Sequence, residues 1–481
     1  MTPPDPAPAP APPPPPHTPS PPTAPVPDGA LVALREDLAG DAYVPGDPGY
    51  DEARTVFNGM IDRRPAVIAQ CENPEDVANA VVFGREAGLP IAVRGGGHSV
   101  AGAALNDAGL VVDLRRMHSV VVDPEHMTVR VAGGATMSGL DHACRPFQVA
   151  VTGGRASTTG VGGFVLGGGS GWLERKYGLA CDNLLSVELI TADGRHVHAD
   201  EEENAELFWA LHGGGGNFGV VTSMTLRVHP LPEFGFTLLM FPPEAGPEAI
   251  GTYRDLIADA PDEAGGAGLY LTAPPAPFVP EELRGSLIVA TMVTWVGPAG
   301  RARELAEPLY TLHPLVEVVM DMPYVDFQRM LDVPSGLRNY WSAEFLASLP
   351  DEAVAVYCAG SARMLVPTPT QNILLPLGGQ VARGPADHPV PWRNAAWAAH
   401  PFALWDDPAD DERARGWVRE VRAGMRPWST GAVYLNFIGT EGEQRVVEGF
   451  GADNYRRLAR VKAAYDPDNV FRFNHNITPA A

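Results

Sequence analysis

At 481 residues the chain is too long for one ordinary core, so two units, or one unit interleaved with another, are expected. Its 35 basic residues face 58 acidic ones, and the formal net charge of -23 repels a phosphate backbone, which excludes nucleic acid as a partner. Cys71, Cys144, Cys181 and Cys358 stand far apart with no C-x-x-C pair, excluding a zinc ribbon or a dense disulfide framework, and no apolar run reaches the roughly 18 residues of a spanning helix.

Residues 1 to about 27 are mostly proline and alanine, a composition that lacks both free φ and backbone donors, and predict an unstructured tail. With no basic-then-apolar order of a secretory leader there, the expected location is the cytoplasm. From Gly29 the pattern is globular. Asn73 as N-cap, Pro74 at the first helical position, Glu75 and Asp76 in the first turn and Gly88 as terminator predict a helix between them. Strands are expected at 91–94, 109–113, 119–123 and 128–132, each bounded by Gly, Asp or Pro. The first of these runs directly into Gly95-Gly96-Gly97-His98-Ser99, and a second glycine-rich stretch lies at 153–171. Glycine reaches positive φ and lets main-chain N–H groups turn toward a close anion such as a pyrophosphate. Two such loops, each carrying a polar side chain, point to a long ligand rather than to two flexible turns.

Segments 185–191 and 195–199 flank Asp193-Gly194, a hairpin signal, and a short helix is expected at 205–211. Gly214 to Gly219 then satisfies G-x-G-x-x-G. The next residues, Val220-Val221-Thr222, are β-branched and predict a strand, whereas the Rossmann fingerprint must open a helix, so a nicotinamide-type Rossmann domain is rejected. Beyond about residue 231 Pro-rich loops, amphipathic segments at 253–258 and 412–425 and a strand at 286–293 mark a second unit. A basic helix at 455–465 is stopped by Asp466-Pro467-Asp468-Asn469.

In order and spacing, the segments 94–99, 176–183, 217–222 and 465–477 resemble the flavoproteins of the vanillyl-alcohol oxidase fold with a PCMH-type FAD-binding domain. Within that fold the resemblance is to the berberine-bridge-enzyme-like and 6-hydroxy-D-nicotine-oxidase-like FAD-linked oxidases. It implies an α+β protein: a two-part FAD-binding domain at 28–230 and 451–481, with an inserted α/β substrate domain at 231–450 built on an antiparallel sheet. It also implies an FAD site made by Arg94, Gly95, Gly96, Gly97, His98, Ser99 and Gly102 of the first loop. The second loop would contribute Thr152, Gly153, Gly154, Ser157, Thr158, Thr159, Gly160, Gly162 and Gly163, and later segments Asn217, Gly219, Val220, Val221, Tyr434, Asn436, Asn474 and Asn476.

The histidine matching His98 is joined in this family to the 8α carbon of the flavin, and a neutral imidazole, with an ordinary pKa of about 6.5, is a competent nucleophile near pH 7. Ala156 stands where many relatives carry a second, cysteinyl link, so one attachment is expected. Thr159 matches the position that gates oxygen and has nearly the shape of valine, which favours an oxidase. Tyr434 matches the tyrosine of a Tyr-x-Asn segment that serves as base in several members; its pKa of about 10 would have to be lowered, and a core tyrosine on a strand, with Asn436 on the same face, is the alternative. The glutamate that plant alkaloid members use has no counterpart at 377–384, where Arg383 occupies the vicinity. Tyr340, Trp341 and Trp392 are either pocket or core. The implied activity is an oxidase that takes a small-molecule C–OH, C–NH or activated C–H substrate and dioxygen, without a metal, in bacterial secondary metabolism. A dehydrogenase with another acceptor and a non-catalytic carrier remain alternatives. An oligosaccharide, a sugar-bearing natural product, a polyketide and an amine are all open as substrates, and the oligomeric state is not set.

Overall fold

The computed structural model describes residues 27–481, so all but the last residue of the expected tail lie outside it. Strands β1 (Asp41–Tyr43), β2 (Val67–Gln70), β3 (Ile91–Arg94) and β4 (Leu110–Asp113) form a sheet in the order β1-β2-β4-β3, parallel except for β1. All four residues of β4 are buried, as a central parallel strand covered on both faces requires. The helix Pro74–Glu86 packs here, and the Asn73 Oδ1 accepts from the Asp76 amide at 2.8 Å as its N-cap.

Next along the chain come β5 (Val120–Asp123), β6 (Thr128–Ala132), β7 (Val149–Ala150), β8 (Leu184–Ile190), β9 (His196–Ala199), β10 (Val220–Arg227) and β11 (His229–Pro230). An antiparallel sheet runs β5-β6-β10-β8-β9, while β7 and β11 pair with each other. Gly194, at φ +79°, closes the β8–β9 hairpin. Because β10 starts at Val220 and lies at the centre of this sheet, the glycines before it lead into a strand and not a Rossmann helix.

The third sheet uses β12 (Gly235–Phe241), β13 (Ala264–Thr272), β14 (Leu287–Trp295), β15 (Val316–Asp321), β16 (Arg338–Trp341), β17 (Glu344–Leu346), β18 (Gln371–Pro376) and β19 (Trp397–Trp405). It is antiparallel throughout, in the order β15-β12-β14-β13-β18-β19-β16, with β17 also paired to β19. Its two faces are chemically distinct because side chains alternate along each strand. Tyr270, Val289, Val293, Leu374, Ala399 and Ala403 point to a core shared with the helices Gly246–Ala258, Asp351–Ser361 and Asp411–Met425. The intervening residues point the other way, toward the first half of the chain.

Val433, Leu435, Ile438, Val446 and Phe450 belong to the core of β6, β8 and β10, together with Leu458 and Ile477. Residues of the segment 433–450 thus pack on the first unit, where the helix Glu443–Phe450 buries its apolar side. All four cysteines are buried and unpaired. Among the described residues no helix is long and apolar enough to cross a membrane.

Candidate active site

The open face of the large sheet and the glycine loops enclose a cavity of about 1040 Å³. Small-molecule pockets run to about 300–1,000 Å³, so this one has room for a ligand of dinucleotide length together with a second molecule. One wall is main chain: Gly95 to Ser99, Gly154, Thr159, Gly160, Gly162, Gly163, Gly213 to Asn217, Gly219 and Val221. The two loops expected from sequence touch each other. A Cβ on Gly96 would lie 2.2 Å from the Gly160 amide nitrogen, and one on Gly160 would lie 2.3 Å from that of Gly96. Where the wall faces the cavity there is space instead: nothing lies within 4 Å of a Cβ built on Gly163 or Gly216.

Several expected residues stand behind this lining. Arg94 is buried and its guanidinium donates to the carbonyls of Ala53 and Thr55, fixing the segment that carries Phe57. Gly102 takes φ +70° in the turn after Ser99. The Thr152 hydroxyl donates to the Gly178 carbonyl at 2.7 Å, and Gly153 packs against Met137 and Gln328. Val220 is wholly buried in the sheet. Asn217 donates to the carbonyls of Gly214 and His475 and accepts from the Ile477 amide, so it ties the C-terminal segment to the third glycine run. Asn474, which lines the cavity, donates to the Gly216 carbonyl, and its Oδ1 has no protein partner; the Oδ1 of Asn476 is also buried without one.

His98 faces the cavity, stacked on Phe57 with ring centroids 4.1 Å apart and planes 19° from parallel, and its Nε2 lies 2.9 Å from the Thr158 hydroxyl. Surrounding protein desolvates the ring, and despite the nearby Asp332 carboxylate its pKa is held down to about 4, so the imidazole is neutral at physiological pH. Ala156 also lines the cavity.

Tyr434 is not on a strand. It precedes the short turn Leu435–Phe437, and that turn brings Asn436 back onto the phenol by geometry other than a shared strand face. The Tyr434 Oη accepts from Asn436 Nδ2 at 2.9 Å, from the Gly169 amide at 3.2 Å and from the Ser170 amide at 3.3 Å. Burial pushes its pKa up to about 12, while these three donors act in the opposite direction. Trp392 packs behind it at 5.0 Å, with Phe437 at 4.7 Å.

The opposite wall is made of alternate sheet residues: Leu269 and Leu271 from β13, Ile373 and Leu375 from β18, Met292 from β14, and Trp341 with Phe402 closing one end. Of the three aromatics named from sequence, Trp341 lines the cavity, whereas Trp392 and Tyr340 do not. Arg383 is exposed and ion-paired with Asp262, and it does not line the cavity.

His400 and Arg155 are among the charged or titratable side chains on these walls that were not singled out from sequence. His400 stacks on Phe437 at 4.1 Å; its Nδ1 lies 3.0 Å from the Ser342 carbonyl, which can only accept, so the proton sits on Nδ1 and Nε2 is left as an acceptor. Desolvation holds its pKa to about 4. The alternation in Trp397–Trp405, which puts His400 and Phe402 on one face, is the signal that could have found it. Arg155 lies over Trp172 at 5.0 Å and donates to Glu174 at 3.0 Å and to Ser170.

Comparison with known proteins assigns this architecture. The model for the FAD binding domain matches residues 65–200, and that for berberine and berberine-like proteins matches 433–478. The (R)-6-hydroxynicotine oxidase of Paenarthrobacter nicotinovorans is 32% identical over 458 residues, covering 92% of this chain and 97% of that protein. The FAD-linked oxidoreductase pgmH of Aspergillus terreus is 30% identical over 488 residues, covering 93% of this chain and 95% of its own. The crystal structure of 6-hydroxy-D-nicotine oxidase from Arthrobacter nicotinovorans superposes with a TM-score of 0.82 at 27% identity, covering 92% of this chain and 98% of the other. Berberine bridge enzyme from Eschscholzia californica, at 20% identity and a TM-score of 0.82 over 94% of this chain and 99% of its own, shares the fold. The class is thus that of FAD-linked oxidoreductases with a two-part FAD-binding domain. Within it, the chain belongs to the berberine-bridge-like family that includes 6-hydroxynicotine oxidase.

Proposed function

We propose that the protein is an oxidase whose FAD is attached through His98 alone and whose substrate is a small, largely apolar molecule oxidised at a C–OH, C–NH or activated C–H carbon. The observation that carries this reading is the neutral, cavity-facing imidazole at the end of a main-chain trough, opposite an apolar sheet. The residues fit the cofactor: open glycines where a side chain would intrude, and an unpartnered Asn474 Oδ1 in the same wall. With Ala156 in place of a cysteine, no second link forms. Bound there, FAD supplies a two-electron acceptor that takes a hydride and returns the electrons to dioxygen as hydrogen peroxide.

The rest is the work of this chain. Tyr434 is the base: three N–H groups donate to its oxygen and stabilise the phenolate, which offsets only part of the burial that pushes its pKa up to about 12, so the phenol must give up its proton to act. His400 Nε2 accepts a hydrogen bond from a substrate hydroxyl or amine and so orients the carbon to be oxidised. Leu269, Ile373, Leu375 and Met292 exclude water and offer few partners for the many hydroxyls of an oligosaccharide, so an aromatic or alicyclic alcohol or amine fits better. Thr159 at the lining, close to the size of valine, leaves access for dioxygen.

The test is anaerobic reduction by a panel of such alcohols and amines, followed by mixing with air-saturated buffer. Rapid reoxidation with stoichiometric peroxide supports an oxidase. Reduction followed by reoxidation only with an artificial acceptor favours a dehydrogenase, and no bleaching by any compound favours a carrier.

A further inference from the structure

His98 is held from two sides, by the Phe57 ring and by the Thr158 hydroxyl. Both supports lie in irregular segments of the FAD half, and neither is fixed by secondary structure of its own. One segment of the inserted unit, residues 331–339, made of a loop and the start of β16, reaches both. The Asp332 Oδ1 accepts from the Ser157 amide at 2.7 Å and its Oδ2 from the Ser157 hydroxyl at 2.5 Å, next to Thr158. Further along the same loop, the Gly336 amide donates to the Phe57 carbonyl at 3.0 Å and the Gly59 amide donates to the Leu337 carbonyl at 2.9 Å. Asn58 Nδ2 donates to the Asn339 carbonyl at 3.0 Å. The approach is close: a Cβ on Gly59 would lie 2.1 Å from the Gly336 carbonyl oxygen.

We infer that Asp332, through Ser157 and Thr158, is the positioning residue for the bond between His98 and the flavin, so that attachment requires the 331–339 segment of the inserted unit to be docked on the FAD half. This rests on His98 being the attachment site. In the attachment one carbon–nitrogen bond replaces a methyl C–H and an imidazole N–H bond, two protons leave, and the two electrons left on the flavin are taken by dioxygen as peroxide. Charge matters as well as placement. The imidazole becomes positive as it bonds, its surroundings disfavour that cation, and Asp332 is the carboxylate whose charge opposes them. An ill-placed nucleophile loses most of the advantage of being tethered.

The experiment uses the full chain made without flavin, mixed with FAD, quenched in acid at intervals and assayed for covalent flavin, beside a measure of non-covalent FAD affinity in a His98→Ala background. Asp332→Asn is expected to slow attachment by about tenfold while FAD affinity stays within about twofold, with Thr158→Val also slowed and Asp332→Glu partly restored. Attachment in Asp332→Asn at the rate of the unsubstituted chain overturns the inference, as does a slowing matched by an equal loss of FAD affinity. If Asp332→Asn does not fold, the smaller Asp332→Ser carries the same comparison. An unsubstituted chain that never links FAD overturns the His98 reading, and this inference with it.

Discussion

The two walls of the cavity are built on different principles. The FAD-side wall is main chain held at backbone contact, where Gly96 and Gly160 leave no room for even a methyl group. The sheet wall is side chain, where alternate residues of β13, β14, β18 and β19 can change without touching the core on the reverse face. A cofactor common to a family suits the first kind of wall and a variable substrate the second. Fold and substrate specificity are therefore separable in this molecule.

The largest effect is expected from breaking the main-chain wall. Gly96→Ala puts a methyl group 2.2 Å from the Gly160 nitrogen, and should give protein that melts early and carries almost no flavin. Gly163→Ala meets open space, so it should keep its melting temperature and lose flavin only, which sharpens the distinction between a packed glycine and a ligand-facing one. Equal melting loss in both would break it.

Next is Tyr434→Phe, which should leave flavin content unchanged and slow anaerobic flavin reduction by about 10²- to 10⁴-fold, the usual contribution of a positioned base. A reduction rate within threefold or so of the unsubstituted protein would move the base elsewhere on the wall.

On the sheet wall, His400 gives a pH prediction. Its folded pKa, about 4, is below the ordinary 6.5, so the unfolded chain binds a proton that the folded chain does not between those values. Stability is full above pH 6.5 and falls as pH drops toward 4, by on the order of 3 kcal/mol for this one buried group. His98, His212 and His229 act in the same direction, so in urea melts across this range His400→Gln should make the acid limb shallower without abolishing it. An unchanged limb would mean that His400 is not buried neutral. The smallest effect is expected at Arg383, whose exposed ion pair with Asp262 lies off the cavity: Arg383→Ala should leave kcat/KM alone and change stability by less than about 1 kcal/mol.

Much of the FAD half was legible because it is written in residues with strong local preferences. Asn73, Pro74 and Gly88 mark a helix by capping, Asp193-Gly194 marks a hairpin, and β-branched residues after Gly219 mark a strand. The glycine loops declare the main-chain wall for the same reason. Tyr434 and Asn436 were identifiable as a pair, but their placement was not: a two-residue spacing reads as one strand face, whereas the tight turn at Leu435–Phe437 brings Asn436 onto the phenol. Arg383 reads as close to the reacting centre when proximity is judged along the chain, whereas its side chain is exposed and paired with Asp262 off the cavity. His400 had only the alternation of its strand to mark it, and Arg155 and Asp332 gave no local signal at all. Their roles arise from contacts between segments that the chain brings together only on folding, such as the pairing of Ser157 with Asp332.

The central claim, a flavin joined to His98 and to no other residue, is tested most directly by intact-protein mass spectrometry under denaturing conditions. The unsubstituted chain should weigh more than its polypeptide by one FAD, and His98→Ala should weigh its polypeptide alone while still binding flavin under native conditions. An unmodified mass for the unsubstituted chain saturated with FAD, or a retained FAD increment in His98→Ala, would contradict the account.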